Sequence, residues 1–388
     1  MGLADAALDV AKLFGLPAER RPGGGGSAPK RILLMRLERV GDLLMVLESI
    51  AMVRALAPQA QIDLVVGSWN LRLARLIPGV DSIETLDVPW MARGSRGLSW
   101  RALLRHARAW RLREYDLAIN FEPDIRSNFL LTVSGARRRV GFMSGGGGAL
   151  LTDPVTPDPR AHIADNAKAL VERAFGSSVA QGFLRAEASA KAGSPAALTI
   201  PDDARRRAAE LIATPKNGAA LVGIQPAAGR QIKEWDPIRF AQVGAEIART
   251  RNASVVLVGS TADKPVLEVV RAAWPVDVPL IELPVETDLV VLAAVLERMS
   301  LFITGDTGPM HLAAAVGTPV LAIFGPSLPT RYAPLSERSR IVRIDIHCSP
   351  CNLMRQPPER CVGHVPDCLA GIDSALVLRA ANEMLDAS

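Results

Sequence analysis

The densest chemistry in the chain lies in Gly305-Asp306-Thr307-Gly308-Pro309-Met310-His311-Leu312-Ala313-Ala314-Ala315. The apolar run LFITG (301–305) precedes it and an Ala-rich run follows, so it marks the passage from a strand to a helix. Pro309 suits the first helical turn, where a missing N–H has no partner to lose. Thr307 can cap the helix, and Gly308 lets the backbone come close to a ligand. Free N–H groups at such a start, with the helix dipole behind them, form an anion site. His311 adds a donor in the first turn; the alternatives are a phosphate site, which the combination favours, and a well-capped helix without a ligand. A second loop, Gln225-Pro226-Ala227-Ala228-Gly229-Arg230-Gln231-Ile232-Lys233-Glu234-Trp235, follows the run ALVGIQP (220–226). It holds two cations, and Lys233 can reach a diphosphate as a mobile point charge. Its plainer reading is a solvated loop.

Three further groups can carry chemistry. Arg39-Val40-Gly41-Asp42 follows the apolar run RILLMR (31–36). Gly41 permits a tight turn, and Asp42 is either a helix N-cap or a carboxylate available as a general base. Between Met91 and Val140 there are 11 Arg and no Lys against four acidic residues. Within that stretch Arg101, Arg105 and Arg108 share one helix face, which is either a solvated basic face or suited to a phosphorylated or carboxylated acceptor or an anionic lipid surface. Finally, Cys348, Cys351, Cys361 and Cys368 fall within 21 residues. In a reducing compartment such a set is a candidate structural Fe or Zn knuckle, or simply four reduced thiols.

The chain that must position these groups has 388 residues, 49% of them hydrophobic and 22% charged, with a formal net charge of +5. That is enough for two domains with cores of their own, and it excludes global disorder. The small excess of positive charge and the two Tyr and nine Phe give no case for nucleic acid. No apolar stretch is long enough to span a bilayer, and the acidic start MGLADAALDVAKLFGLPAER does not resemble a secretory signal. We expect a short amphipathic helix there, a Gly-rich linker up to residue 30, and a cytoplasmic protein. From residue 31 strands alternate with helices, lapse over 177–217, and resume. This predicts an α/β protein of two doubly wound, mostly parallel domains, spanning 31–190 and 218–371. The region 191–217 joins them, with one helix over Asp202–Ile212, and a helix over 372–388 closes the chain. Ligands of such sheets sit at the carboxyl ends of the strands, so a cleft between the domains is expected.

Gly41-Asp42, Pro226 with Lys233-x-Trp235, and Asp306-Thr-Gly-Pro-x-His311-x-Ala-Ala-Ala together resemble glycosyltransferase family 9, the ADP-heptose heptosyltransferases of lipopolysaccharide synthesis and their relatives. The similarity runs in register from about Arg31 to about Cys368. It implies a GT-B fold, two Rossmann-like domains facing a central cleft, with the acceptor in the first and a nucleotide sugar, ADP-heptose, in the second. It implies inverting transfer without a catalytic metal, with Asp42 as base and Lys233 facing the donor diphosphate. Asp306, Thr307, Gly308 and His311 complete the phosphate motif, and Asp263 stands near where the family has an acid for the donor ribose. Glu38-Arg39, Ala227 and Asn120 depart from the family's usual residues. One branch of the group holds iron with such cysteines. The acceptor implied is an anionic glycan or glycolipid, with peripheral contact to the inner membrane face. A sugar-nucleotide epimerase on the same scaffold and a non-catalytic sugar-nucleotide binder are the competing readings. The epimerase would react with donor alone, and the binder would tolerate loss of Asp42.

Overall fold

A computed structural model describes residues 28–91, 97–177, 198–213 and 219–387. The N-terminal helix and most of the Gly-rich linker expected before residue 31 lie outside these. Two compact units divide between Ala196 and Ala197.

The first unit is built on β1 (Arg31–Arg36), β2 (Gln61–Val66), β3 (Ser82–Thr85), β4 (Leu117–Asn120), β5 (Arg138–Phe142) and β6 (Asp153–Val155). They pair in the order β3-β2-β1-β4-β5-β6, every pairing parallel. Its helices are α1 (Val40–Leu44), α2 (Leu47–Leu56), α3 (Leu71–Ala74), α4 (Trp100–Ala109), α5 (Ile125–Val133) and α6 (Ile163–Phe175). The run Ile32–Met35 is wholly buried because helices cover both faces of the sheet, which is why it reads as a continuous apolar block. Leu33, Met35, Trp110, Tyr115 and Leu130 pack one core face. Beneath α4, Tyr115 Oη donates to Asp63 Oδ2 at 2.6 Å and Arg113 Nη1 to the same oxygen at 2.9 Å. Burial works against the Asp63 charge, yet bonds from Tyr115, Ser82, Gln61 and Arg113 hold its carboxyl below the usual range.

The second unit repeats this plan with β7 (Leu221–Gln225), β8 (Ser254–Leu257), β9 (Leu280–Glu282), β10 (Leu301–Gly305), β11 (Val320–Ile323) and β12 (Ser339–Val342). The order is β12-β11-β10-β7-β8-β9, again all parallel. Its helices are α7 (Asp202–Leu211), α8 (Pro237–Arg251), α9 (Lys264–Ala273), α10 (Leu289–Glu297), α11 (Gly308–Ala315), α12 (Pro329–Tyr332), α13 (Asp367–Ala370) and α14 (Ser374–Asp386). The helix expected inside 191–217 is α7, and it packs on α10. Arg298 Nη1 donates to the carbonyls of Ala208 and Ile212 at 2.9 and 2.7 Å. The closing segment is tied to the loop that carries Lys233, since Trp235 Nε1 donates to the Ile372 carbonyl at 2.9 Å. Arg251 Nε reaches Asn382 Oδ1 at 3.0 Å.

In each sheet the direction of winding reverses at the centre, between β1 and β4 in the first and between β7 and β10 in the second. Loops leaving the carboxyl ends of those strands diverge there and leave room for a ligand. No helix of the described residues is long and apolar enough to cross a membrane.

Candidate active site

At the switch point of the first unit, β1 ends in an arginine. Arg36 is 2% exposed, and its guanidinium spreads over two loops. Nε donates to the Asp42 carbonyl at 3.1 Å, Nη2 to Asp42 Oδ1 at 3.3 Å, and Nη1 to the Phe121 carbonyl at 2.6 Å. Beside it Glu122, fully buried, accepts from the Leu37 and Glu38 N–H groups through Oε1, at 2.5 and 3.0 Å. Its Oε2 lies 3.6 Å from Arg36 Nη1. Burial pushes the Glu122 carboxyl up, against the pull of Arg36. Burial also opposes the Arg36 charge, but Glu122, Asp42 and Glu38 together hold that group above its ordinary value. Asp42 is not the N-cap that the sequence allowed. Helix α1 starts earlier, at Val40, so Asp42 is its third residue and Oδ2 accepts from the Arg39 N–H at 3.3 Å. The carboxylate is 27% exposed at the edge where the strands end.

Asn120, on β4, stands where an acid was expected, and its amide uses both ends. Nδ2 donates to Ser127 Oγ and Asn128 Oδ1 at 2.8 and 2.7 Å, while Oδ1 accepts from the Glu122 N–H at 3.1 Å. A carboxylate could not make the two donations. The three arginines expected to hold an acceptor are all exposed on α4, but they are not equivalent. The start of α4 lies at the edge that carries Asp42, where Trp100 stacks on Trp90 with centroids 5.4 Å apart. Arg101 is therefore at that edge, whereas Arg108, seven residues along, is about 10 Å further down the helix, with Arg105 between them. Arg126, not singled out from sequence, is at the edge too, with its guanidinium carbon 4.4 Å from the Trp90 ring centroid. Asp124 grips it at 2.6 Å.

In the second unit β10 runs into α11. Thr307 is the N-cap, accepting from the Met310 N–H at 3.2 Å, and Pro309 lies in the first turn as expected. Thr307 Oγ1 and Thr304 Oγ1 both donate to Gln225 Oε1 at 2.9 Å. This buried knot fastens the end of β10 to the end of β7. With the Thr307 hydroxyl so engaged, backbone N–H groups are what α11 can offer an anion. Gly305 lets the neighbouring turn come close, since a Cβ there would stand 3.3 Å from the Lys233 carbonyl. Lys233 closes a short 3-10 turn, Gln231–Lys233. Its Nζ lies 2.9 Å from Asp306 Oδ2, which fixes a cation beside the helix start. His311 is buried within the first turn of α11.

Asp263 follows β8 and serves the chain locally. Its Oδ2 accepts from the Ser260 N–H and hydroxyl at 2.8 and 2.7 Å, a capping box. Glu234, overlooked in the sequence, faces it. Glu234 Oε1 accepts from the Ala228 N–H at 3.1 Å and so closes the loop that carries Lys233. Burial pushes the Glu234 carboxyl up, with the nearby Asp263 charge adding to it.

The four cysteines line one cavity of about 200 Å³, together with Ile232 and Pro326. Burial, with the neighbouring thiols adding to it, pushes the Cys368 thiol up to about 11. Among the described residues no group of three or more His, Cys, Asp or Glu side chains is arranged to hold a metal ion. The structure thus lends the expected Fe or Zn no support.

With this geometry in hand, known proteins supply the family. Residues 103–361 match the model for glycosyltransferase family 9 (heptosyltransferase). Over 321 residues the chain is 24% identical to the lipopolysaccharide core heptosyltransferase OpsX of Haemophilus influenzae, covering 82% of this chain and 85% of that one. The fold matches the E. coli ADP-heptose lps heptosyltransferase II structure with a TM-score of 0.73 and 22% identity, over 92% of this chain and 99% of that one. It also matches the family 9 glycosyl transferase of Veillonella parvula with a TM-score of 0.76 and 23% identity, over 92% and 98%. Two parallel sheets of one winding order, with these neighbours, make the architecture a GT-B fold. A family match across most of the chain and likeness along nearly its whole length lead to one conclusion: the chain belongs to glycosyltransferase family 9 and is a glycosyltransferase.

Proposed function

We propose that this enzyme moves heptose from ADP-heptose to a hydroxyl of a lipopolysaccharide-type acceptor, with inversion and without a catalytic metal. The first unit takes the acceptor and the second the donor. The relatives' names support the sugar and the acceptor class. The observation that carries the mechanism is that Asp42 and Lys233 each lie at the switch point of a sheet, one a partly exposed carboxylate and the other a cation beside a helix start.

An inverting displacement needs a base on the attacking hydroxyl and stabilisation of the departing diphosphate. Asp42 takes the proton as the acceptor oxygen bonds to the anomeric carbon of the heptose. The bond from that carbon to the diphosphate oxygen breaks, and ADP leaves with the electron pair. Lys233 and the N–H groups at the start of α11 meet the charge that grows on the diphosphate, the role a metal fills elsewhere. Arg101 and Arg126 are placed to meet the anionic groups of the acceptor.

Replacing Asp42 by Asn tests the assignment. The side-chain shape stays and only proton acceptance is lost, so transfer should fall roughly 10²–10⁴-fold, with ADP binding unchanged by calorimetry. Wild-type turnover in that variant would leave Asp42 with a capping role alone. Conversion of ADP-heptose to another sugar nucleotide without acceptor would favour the epimerase.

A further inference from the structure

We infer that Arg36, with Glu122 behind it, is the positioning residue for Asp42, an inference that rests on Asp42 being the base. A strand end buried to this depth ordinarily carries an apolar residue. An arginine is costly there unless each of its donors finds a partner. The partners of Arg36 are specific. Nε and Nη2 take the two ends of one residue, the carbonyl of Asp42 and its Oδ1. This fixes both the backbone and the carboxylate rotamer of Asp42. Nη1 takes the Phe121 carbonyl and faces Glu122, which ties Asp42 to the β4 loop as well. A planar fork with donors at fixed angles can do this, and a lysine cannot.

The neighbouring charges explain why Glu122 is present. Asp42 loses its charge when it takes the acceptor's proton. Were it the sole counter-charge of a buried guanidinium, that step would strand a cation in a low-dielectric site. Glu122, fully buried and 3.6 Å from Nη1, remains as a partner throughout, and Glu38, 3.5 Å from Nη2, is a second. Arg36 therefore holds Asp42 by hydrogen bonds without depending on its charge.

The test is Arg36→Met/Glu122→Gln, which removes the buried cation and its buried counter-charge together, alongside Arg36→Lys, which keeps the charge and loses the fork. Both are combined with Asp42→Asn, and transfer from ADP-heptose to de-O-acylated, heptose-deficient lipopolysaccharide is followed. We expect kcat to fall roughly 10- to 100-fold in the paired variant, less in Arg36→Lys, with KM for ADP-heptose within about twofold of wild type. In the Asp42→Asn background the same changes should add less than about threefold, because a group that acts through Asp42 has nothing left to position. Lowered thermal stability with kcat unchanged would show a merely structural pair and overturn the inference. So would an equal loss of activity in both backgrounds. If the paired variant fails to fold, Arg36→Lys alone carries the same comparison. Wild-type turnover by Asp42→Asn would instead remove the base assignment and this inference with it. An inactive Asp42→Asn beside a fully active Arg36→Met/Glu122→Gln would overturn this inference alone.

Discussion

Lys233 offers the sharpest quantitative test, because its removal has two separable effects. Its Nζ is 2.9 Å from Asp306 Oδ2, with side chains 18% and 10% exposed. Lys233→Ala deletes a cation from the proposed diphosphate site and leaves a mostly buried carboxylate without it. A charge-assisted hydrogen bond contributes about 1.5–3 kcal/mol, so ADP should bind about 10- to 150-fold more weakly. Stranding Asp306 should destabilise the second unit by about 1–3 kcal/mol, a fall in Tm of roughly 2–12 °C for a unit of this size. Lys233→Ala/Asp306→Asn removes the stranded charge and should recover most of the stability while ADP affinity stays low. Calorimetric titration of ADP, with scanning calorimetry of the same samples, reads both. If the double variant regains wild-type affinity for ADP, Lys233 acts only by neutralising Asp306 and the diphosphate lies elsewhere.

Tyr115→Phe removes a short bond to the Asp63 carboxylate and should destabilise the first unit by about 1.5–3 kcal/mol in urea unfolding. Because the Asp63 pKa is lowered in the fold, its contribution is complete above the ordinary carboxylate value near 4 and disappears as pH falls through the folded value. The variant should therefore lose its deficit relative to wild type in strong acid, and a deficit that persists there would contradict this account. Arg101→Ala should raise the acceptor KM several-fold while Arg108→Ala leaves it near wild type, and equal effects would show that the acceptor lies along α4 rather than across its start. Transfer should survive exhaustive EDTA treatment; loss of activity restored by a divalent cation would remove Lys233 and α11 from the leaving-group role.

Central elements were the legible part of the fold. LFITG became β10 residue for residue, because a central strand covered on both faces is apolar nearly throughout. β6 and β12 gave no such signal. Both are edge strands, and DPV carries a proline that an edge tolerates, while SRIV is only partly buried. The site divided in the same way. The turn from β10 into α11 is contiguous in sequence, so Thr307 as its cap and Pro309 in its first turn could be read directly. Arg36 and Glu122 lie 86 residues apart and meet only because β1 and β4 are neighbours. A charge ending the apolar run RILLMR was the available hint, and nothing nearby in the sequence names its partner. The position of Arg101 relative to Arg108 likewise depends on which end of α4 meets the strand ends, which helical periodicity does not reveal.

The anchoring of the Lys233 loop has a consequence for biosynthesis. All six strands of the first sheet come from residues 31–155, and α6 completes their cover by Phe175, so that core can close while later residues are still being translated. The second unit has no such early closure. Its loop next to Lys233 hangs on the Ile372 carbonyl through Trp235, and α8 is fastened through Arg251 to Asn382 and Asp386. Until the ribosome has delivered Ser374–Asp386, the second unit stays open on one side, its apolar face exposed to chaperones and proteases. A nonsense or frameshift change ahead of α14 would leave a folded first unit attached to an unfinished second one, a product with lost function and a short cellular lifetime.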